Sequence, residues 1–440
     1  MVRYNGGTCQ IYELARVSKI TGLRKQILRM TASQELSWRG FIHQTTYPSI
    51  ETLDGDPITF YWGVDPSADS MTVGHLAAAM MVKCLMKHGH RPVLLVGGAT
   101  GLIGDPDGKS SERELISFDT VQSNKAALAE QYKHLFGGGA FKIVDNYDWF
   151  KDMHYLEFLR DVGKHVPMRQ MLGRDFVSSR LGESGAGISY AEFSYVLIQA
   201  YDFLYQNQNY DVSLQVCGAD QWGNSVAGVD LIRRLTGKEA HVLSTPLIIN
   251  RATGRKFGKT ESGAVWLDPN KTTPTQFYQF WMNVDDLDVE GYLKVFTELD
   301  QQVIEDVVSR HQADPKQRLA QERLAAETTA LVHDQAAMEL ARSVTAFLTG
   351  ARSIGEADDA TVEEIRKNIP SLKTTNIVEA LVSGGLASSN TEARRLLQGQ
   401  AISVNGKKYS AEVVADEDLQ NGRALIRRGK AFKDTVFIEH

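Results

Sequence analysis

The sequence is poor in cysteine and contains no long apolar run. Only Cys9, Cys84 and Cys217 occur in 440 residues, and none of them forms a Cys-x-x-Cys pair. A disulfide framework and a structural zinc site are therefore not expected, and the scarcity of cysteine favours a reducing, intracellular compartment. Because no stretch of about 18 consecutive apolar residues is present, no segment is predicted to span a membrane.

An excess of basic residues is also missing. The net charge is −6, so a nucleic-acid partner would have to be recognised through local basic patches rather than through the total charge. Hydrophobic residues make up 42% of the chain. A chain of this length and composition is too long for a single core, which predicts two or three domains.

The first 29 residues differ from the rest because they are basic and almost free of acids. Six Lys or Arg residues stand there against one acid, Glu13. Such a leader is typical of an organelle-targeting segment, which would place the protein in the mitochondrial matrix. The alternative is an extended or mis-assigned start upstream of Met30. With that interpretation we expect a cytoplasmic protein.

A strand–helix–strand unit begins the part of the chain that carries fold signals. Residues 58–64 are rich in strand formers, and residues 92–96 form a second apolar run. Between them the apolar residues fall at the spacing of one buried helix face, and they are Val73, Leu76, Ala77, Met80, Met81, Cys84 and Leu85. Strand and helix signals alternate from about residue 58 to 236, which predicts an α/β fold with a parallel sheet.

The next segments continue this alternation and then change to helix. Residues 212–217 alternate apolar and polar side chains, which predicts a half-buried strand, and the helix after it is expected to end near Gly237. Residues 273–350 show no strand signal and are predicted to be mostly helical.

The C-terminal part has the character of a separate module. The acidic, proline-containing residues 351–373 predict a connector. From residue 374 onward two short helices are followed by Asn405-Gly406, a strong hairpin signal because both residues tolerate positive φ. Residues 374–440 are therefore predicted to form a small α+β unit.

Two segments suit the binding of a nucleotide. In residues 65–76 a strand ends and a helix begins, and unpaired N–H groups at a helix start attract phosphates. Gly74 leaves room for a flat base, and His75 can donate a hydrogen bond from the first turn. Residues 256–260, called the lysine segment below, place two lysines around a glycine, where they can neutralise charge on a departing phosphate group.

These two segments, taken together, resemble the signatures of class I aminoacyl-tRNA synthetases, and more narrowly the chain resembles bacterial-type tyrosyl-tRNA synthetases. The likeness includes residues 97–106 and 218–224 and runs from about Met30 to the C-terminus. The implied domains are a Rossmann-like catalytic domain at 30–272 with a dimer insertion at about 150–190, an α-helical anticodon-arm domain at 273–350, a linker at 351–373 and an S4-like RNA-binding domain at 374–440.

The resemblance implies a two-step reaction. ATP would activate tyrosine to tyrosyl-adenylate, and the tyrosyl group would then pass to the 3′ end of its tRNA. Mg²⁺ is expected to accompany ATP as part of the substrate, without a dedicated protein metal site or a tightly bound cofactor. The implied partners are tRNA(Tyr), tyrosine, ATP and a second copy of the chain, with no membrane.

The resemblance also implies a set of site residues. Those implied to bind tyrosine are Tyr61, Thr100, Asp105, Tyr195, Gln199, Asp202 and Gln215. Those implied to bind ATP are Gly63, Asp65, Ser67, Gly74, His75, Gly218, Asp220, Gln221 and Lys259. Those implied to act in catalysis are Thr72, His75, Lys109, Arg113, Lys256, Lys259 and Thr260. Tyr61 and Asp202 would contact the phenolic hydroxyl, and Trp62 would stand beside the ribose.

One departure from the family pattern concerns catalysis. Thr72 stands where the first signature usually has histidine, and Ser67 stands where the family usually has threonine. Threonine can still donate a hydrogen bond to a phosphate but cannot carry the charge of an imidazole. Activation is therefore expected to depend more on the lysine segment and on Lys109 and Arg113.

Other interpretations remain open at this point. Residues 104–110 resemble an NTPase phosphate-binding loop but have three residues between the glycines where that motif has four, and residues 97–104 lack dinucleotide-binding spacing. A tryptophanyl-tRNA synthetase would share the fold. An RNA-binding protein that has lost catalysis is a further alternative, which Thr72 leaves open.

Overall fold

The computed structural model describes residues 30–106, 115–172, 177, 180–181, 187–250, 254, 257–260, 263–429 and 434–440. The basic leader and the predicted site residues Lys109, Arg113 and Lys256 lie outside the described residues. The backbone of Lys259 and Thr260 is described, but their side chains are not.

A six-stranded sheet forms the centre of the first part of the chain. Its strands are β1 (Gln44–Thr45), β2 (Thr59–Val64), β3 (Arg91–Val96), β4 (Lys142–Asp145), β5 (Val212–Gly218) and β6 (His241–Thr245), in the spatial order β1-β6-β5-β2-β3-β4. All neighbours pair in parallel except β1 and β6. The predicted α/β class with a parallel sheet is confirmed.

Helices cover both faces of this sheet. The helices of this part are α1 (Ala32–Arg39), α2 (Val73–Lys87), α3 (Thr100–Ile103), α4 (Phe118–Phe136), α5 (Tyr147–Phe150), α6 (Tyr155–Asp161), α7 (Met168–Leu172), α8 (Tyr190–Tyr210) and α9 (Trp222–Thr236). Side chains of β2 alternate between the faces. Phe60 and Trp62 pack with the residues of α2 and α4, whereas Tyr61 packs with those of α8 and α9.

The strand predicted at 212–217 is more deeply buried than expected. It is β5, and both Gln215 and Cys217 are buried, as are the apolar residues that alternate with them. The expectation of a half-buried strand was wrong because β5 lies between two parallel neighbours, and a parallel sheet is covered on both faces. The following helix ends at Thr236 with Gly237 in the left-handed region at φ 70°, as the sequence indicates.

A helical region follows the sheet. After the short hairpin β7 (Lys259–Thr260) and β8 (Gly263–Ala264), its helices are α10 (Pro274–Met282), α11 (Val289–Phe296), α12 (Gln301–Ala313), α13 (Leu319–Val332) and α14 (Gln335–Thr349). The helical character predicted for residues 273–350 is therefore observed. Among the described residues, none of the helices is both long and apolar enough to cross a membrane.

The C-terminal module begins earlier than residue 374. Its elements are α15 (Asp359–Asn368), β9 (Ser371–Lys373), α16 (Ile377–Ser383), α17 (Asn390–Gln398), β10 (Ser403–Val404), β11 (Lys407–Lys408), β12 (Arg423–Arg427) and β13 (Thr435–Glu439). The sheet order is β11-β10-β12-β13-β9. Asn405 and Gly406 turn the hairpin with φ 46° and 83°. Much of the stretch predicted as a connector is folded, because β9 pairs with β13 at the sheet edge.

A buried cluster of charged side chains links α1 to the end of α2 and to the helical region. Glu35 accepts hydrogen bonds from Arg39 Nε at 2.8 Å, Lys87 Nζ at 2.9 Å and His88 Nε2 at 2.8 Å. Arg39 in turn donates to the backbone oxygens of Lys294 and Thr297. Burial alone would raise the pKa of Glu35, but the bonds from Lys87, Arg39 and His88 outweigh it and hold this pKa at about 2.

Replacing Glu35 by glutamine is expected to destabilise the fold in a pH-dependent way. Because the pKa of Glu35 is lowered from 4.5 to about 2 on folding, its charge contributes about 3 kcal/mol above pH 4.5, and this contribution is lost as the pH falls towards 2. Urea unfolding should show a difference between wild type and Glu35→Gln that is full at neutral pH and shrinks in acid. The exposed Glu130, paired with Lys133, is the control, and Glu130→Gln should change stability little.

Candidate active site

A cavity of about 370 Å³ opens at the carboxyl ends of the parallel strands. Ligand sites of open α/β sheets lie at this edge because the loops that leave neighbouring strands diverge there. Every predicted site residue whose side chain is described lines the cavity. These residues are Tyr61, Gly63, Asp65, Ser67, Thr72, Gly74, His75, Thr100, Asp105, Tyr195, Gln199, Asp202, Gln215, Gly218, Asp220 and Gln221.

One end of the cavity carries two buried polar groups that suit a phenol. Tyr61 and Asp202 are each 1% exposed, and the hydroxyl of Tyr61 has no hydrogen-bond partner among the described residues. Asp202 accepts hydrogen bonds from Asn146 Nδ2 at 3.1 Å and Trp149 Nε1 at 2.9 Å. Burial raises the pKa of Asp202 well above its ordinary value, although those two bonds oppose the rise. A buried hydroxyl without a partner is costly unless a ligand completes it.

A hydrogen-bonded chain connects Asp65 with the tyrosine-side residues. Tyr195 Oη donates to Asp65 Oδ2 at 2.6 Å, and Thr100 Oγ1 donates to Asp65 Oδ1 at 2.6 Å. Asn146 Nδ2 donates to Thr100 Oγ1 at 3.0 Å as well as to Asp202. Asp65, expected on the nucleotide side, therefore also holds two residues expected to bind the amino acid.

The helix α8 supplies one wall of this end. Tyr195, Gln199 and Asp202 lie four and three residues apart, so they project from one helix face into the cavity. The side-chain oxygen of Gln199 is buried and has no partner among the described residues, and the same holds for Gln215 on β5. Both side-chain oxygens are therefore available to a polar ligand.

The start of α2 forms another part of the cavity wall. The backbone N–H of Thr72 donates to His75 Nδ1 at 3.1 Å, and Thr72 Oγ1 lies 3.0 Å from the same nitrogen. An accepting Nδ1 leaves the proton of a neutral imidazole on Nε2. Burial lowers the pKa of His75, although nearby Asp220 opposes this. His75 is therefore a neutral donor at a helix start, where partial positive charge favours phosphate.

The lysine segment lies against this helix start. Gly258 has φ +85°, and a Cβ at this position would lie 3.3 Å from the backbone nitrogen of Gly74. The N–H of Val265 donates to the oxygen of Gly258 at 2.9 Å, and the N–H of Val73 donates to the oxygen of Val265 at 3.0 Å. The backbone between the two predicted lysines therefore lies against the first residues of α2.

Other predicted residues of the cavity are hydrogen-bonded to one another or packed against the core. Gln221 Nε2 donates to Asp105 Oδ2, and Gln221 Oε1 accepts from Asn224 Nδ2 at 3.0 Å. The ring of Trp62 packs against Tyr132 at 5.5 Å between centroids. Since Trp62 is only 4% exposed, its bulk serves the core as well as the cavity wall.

Three residues of the site were missed from the sequence. Asn146 and Trp149 contact Asp202 directly, and Thr245 lines the cavity with a buried hydroxyl that has no partner among the described residues. Asn146 comes directly after β4, and a polar residue at a strand end is a usable signal. Nothing in the local sequence distinguishes Trp149 from a core aromatic residue.

Comparison with known proteins agrees with this geometry. Residues 53–349 match the family described as tRNA synthetases class I (W and Y), and residues 361–433 match the tyrosine–tRNA ligase SYY-like C-terminal domain. The tyrosine–tRNA ligase of Rhodopirellula baltica is 43% identical over 427 residues, which cover 92% of this chain and 97% of that protein. The tyrosine–tRNA ligase of Pediococcus pentosaceus is 45% identical over 416 residues, which cover 91% and 98%.

The chain belongs to the tyrosine–tRNA ligases. The predicted family, enzyme class and function are therefore confirmed. Among solved structures, a C-terminally truncated mitochondrial tyrosyl-tRNA synthetase of Aspergillus nidulans is 30% identical, with a TM-score of 0.66 over 73% of this chain and 94% of that chain. A tryptophanyl-tRNA synthetase of Encephalitozoon cuniculi is 14% identical, with a TM-score of 0.51 over 70% of this chain and 87% of that chain. This second likeness concerns the fold alone.

Proposed function

We propose that this cavity activates tyrosine with ATP and that the tyrosyl group then passes to tRNA(Tyr). The observation that carries the proposal is the pairing of two ends in one cavity. Tyr61 and Asp202 supply buried polar groups for a phenol, and the α2 mouth with His75 supplies donors for phosphate. The distance between amino acid and nucleotide is then set by residues of the same sheet edge.

The chemistry needs positioning rather than a protein nucleophile. The tyrosine carboxylate attacks the α-phosphate, the bond to the β-phosphate oxygen breaks, and pyrophosphate leaves. The N–H of His75 Nε2 and the lysine segment would stabilise the charge that develops on the leaving group. Mg²⁺ would arrive with ATP, held by phosphate oxygens and water. Gln199, Tyr195 and Asp105 would orient the ammonium group, so that the carboxylate faces the phosphate.

The C-terminal module is proposed to bind the tRNA. Arg395, Lys407 and Lys408 are exposed on α17 and on the hairpin, where they can contact phosphates. The neighbouring Arg394 and Arg428 are paired with Glu412 and Glu392. The proposed patch is therefore centred on Arg395, Lys407 and Lys408. The helical region is proposed to support the anticodon arm.

A homodimer is proposed through the insertion near residues 150–190. Several large apolar side chains of this stretch are exposed in the single chain, and they are Tyr155, Leu156, Met168, Leu172, Leu181 and Tyr190. Contiguous exposed apolar surface is typical of protein–protein contacts. Leu156, which is 75% exposed, is a suitable site for a test, and Leu156→Glu is expected to convert a dimer into monomers in sedimentation analysis.

Exchange of labelled pyrophosphate into ATP tests the proposed activity. The assay is run with tyrosine, phenylalanine and tryptophan in turn. Tyrosine should support exchange and phenylalanine next to none, because a phenol site leaves its buried polar groups unpaired with phenylalanine. Exchange with tryptophan but not tyrosine would contradict the proposal.

Thr72 allows the alternative of lost catalysis to be tested directly. Thr72→His restores the residue that the first signature usually has. A wild-type protein with substantial exchange, changed only modestly by the substitution, supports an active enzyme. An almost inactive wild type that is strongly activated by Thr72→His supports an RNA-binding protein without catalysis.

The cytoplasm is the proposed compartment, since the relatives at 43% and 45% identity are bacterial proteins. The mitochondrial matrix is the alternative if residues 1–29 act as a targeting segment. Import of a reporter fused to residues 1–29 distinguishes the two.

A further inference from the structure

The lysine segment contains one aromatic residue, Phe257, which lines the cavity and also contacts the helical region. The ring of Phe257 lies against four aromatic rings of the helical region. The centroid distances are 4.4 Å to Tyr292, 5.0 Å to Phe280, 5.5 Å to Trp281 and 5.9 Å to Phe296. These rings belong to α10 and α11, so the side chain links the segment to a different part of the fold.

The backbone of Phe257 is hydrogen-bonded to the segment that follows β6. The N–H of Phe257 donates to the oxygen of Ile248 at 2.8 Å. A Cβ on the next residue, Gly258, would lie 3.3 Å from the backbone nitrogen of Gly74 and 3.4 Å from Val73 Cβ, so the backbone of Gly258 lies close to the start of α2. Phe257 and Gly258 therefore connect two parts of the fold. The ring of Phe257 packs against α10 and α11, and the backbone of Gly258 lies beside the start of α2.

We propose that Phe257 is a positioning residue, whose ring, seated among Phe280, Trp281, Tyr292 and Phe296, fixes the backbone of residues 257–260 beside the start of α2. The proposal rests on the proposed function. Lys256 precedes Phe257 and Lys259 follows two residues later, so a shift of the anchored ring moves the attachment points of both lysines. A variant that shifts the ring is therefore expected to impair the step in which pyrophosphate leaves.

This arrangement differs from ordinary core packing in one respect. Phe277 lies in α10, the helix that also carries Phe280 and Trp281, and it is fully buried. Its ring contacts Trp281 at 6.0 Å between centroids. Phe257 is only partly buried and belongs to the loop. Removing the Phe277 ring should weaken the core, whereas removing the Phe257 ring should misplace the loop.

The test compares Phe257→Leu, Phe257→Tyr and Phe280→Leu with wild type in tyrosine-dependent pyrophosphate exchange. Phe257→Leu is expected to lower kcat by up to ~100-fold, since misplacement of catalytic groups by about 1 Å has effects of this order. The KM for tyrosine should stay near the wild-type value because the phenol end is untouched. Phe257→Tyr keeps the ring and should retain most of kcat, and Phe280→Leu should reproduce a weaker form of the Phe257→Leu effect.

Phe277→Leu is the matched control. It should lower the thermal unfolding midpoint more than Phe257→Leu does, while kcat below the midpoint stays near wild type. The proposal is overturned if Phe257→Leu leaves kcat unchanged, or if Phe277→Leu lowers kcat as strongly in folded protein. A wild-type protein without tyrosine-dependent exchange would instead refute the proposed function, so the two failures are distinguishable.

Discussion

The Asp202→Asn variant is expected to show a much weaker preference for tyrosine over phenylalanine than wild type. The substitution removes a carboxylate from the phenol end but keeps nearly the same volume, and the amide oxygen can still accept from Trp149. A hydrogen bond to a charged group contributes about 1.5–3 kcal/mol, which corresponds to a loss of about 10- to 100-fold in kcat/KM for tyrosine. The kcat/KM for phenylalanine should change little because phenylalanine makes no such bond.

The measurement is pyrophosphate exchange with each amino acid at several concentrations. Tyr61→Phe serves as the second arm, since it removes the other hydroxyl of the pair, and it should shift the preference in the same direction. Asp119→Asn, in the exposed first turn of α4, is the control and should leave both substrates unaffected. An unchanged preference in Asp202→Asn would show that the phenol binds elsewhere.

Replacing His75 by alanine is expected to have the second large effect. The N–H of Thr72 donates to Nδ1 of this imidazole, which leaves the ring's own N–H on Nε2, and the residue lines the cavity. Loss of one preorganised donor to developing charge typically lowers kcat by about 100- to 1000-fold. The KM for tyrosine should be nearly unchanged, because His75 is bonded to Thr72 at the start of α2 whereas Asp202 is bonded to Asn146 and Trp149.

The pH dependence separates a neutral donor from a charged one. Burial lowers the pKa of His75 below its ordinary 6.5, which favours the neutral ring at pH 7 and above. The kcat for adenylate formation should therefore not fall between about pH 7 and 8, as it would if catalysis needed a protonated His75. His75→Gln, which places an amide N–H at a similar reach, should recover part of the activity, whereas His134→Ala on the surface of α4 should change nothing. Activity that requires a protonated His75 would contradict this account.

Segments with regular periodicity were predictable from the sequence. The observed β2, α2 and β3 lie within two residues of the expected ranges because their apolar spacing is set by local geometry. The common face of Tyr195, Gln199 and Asp202 was likewise predictable, since residues four and three apart project from one side of a helix.

Contacts between distant segments were not predictable in this way. Asn146 and Trp149 lie more than fifty residues before Asp202, with separations of 56 and 53, and only the folded sheet brings them together. The same reason explains why the connector predicted at 351–373 was wrong for much of that stretch. Acidic residues and a proline indicate a linker locally, but the pairing of β9 with β13 is a long-range property.

The apolar face of α14 has a consequence for any cleavage behind it. Val344, Phe347 and Leu348 share a buried cluster with Leu425 and Phe437 of the C-terminal sheet. A protease cut after Gly350 that released the C-terminal fragment would leave this face of the final helix bare. The shortened enzyme would expose this apolar surface to solvent. We expect it to self-associate or precipitate unless those three side chains are exchanged for polar ones.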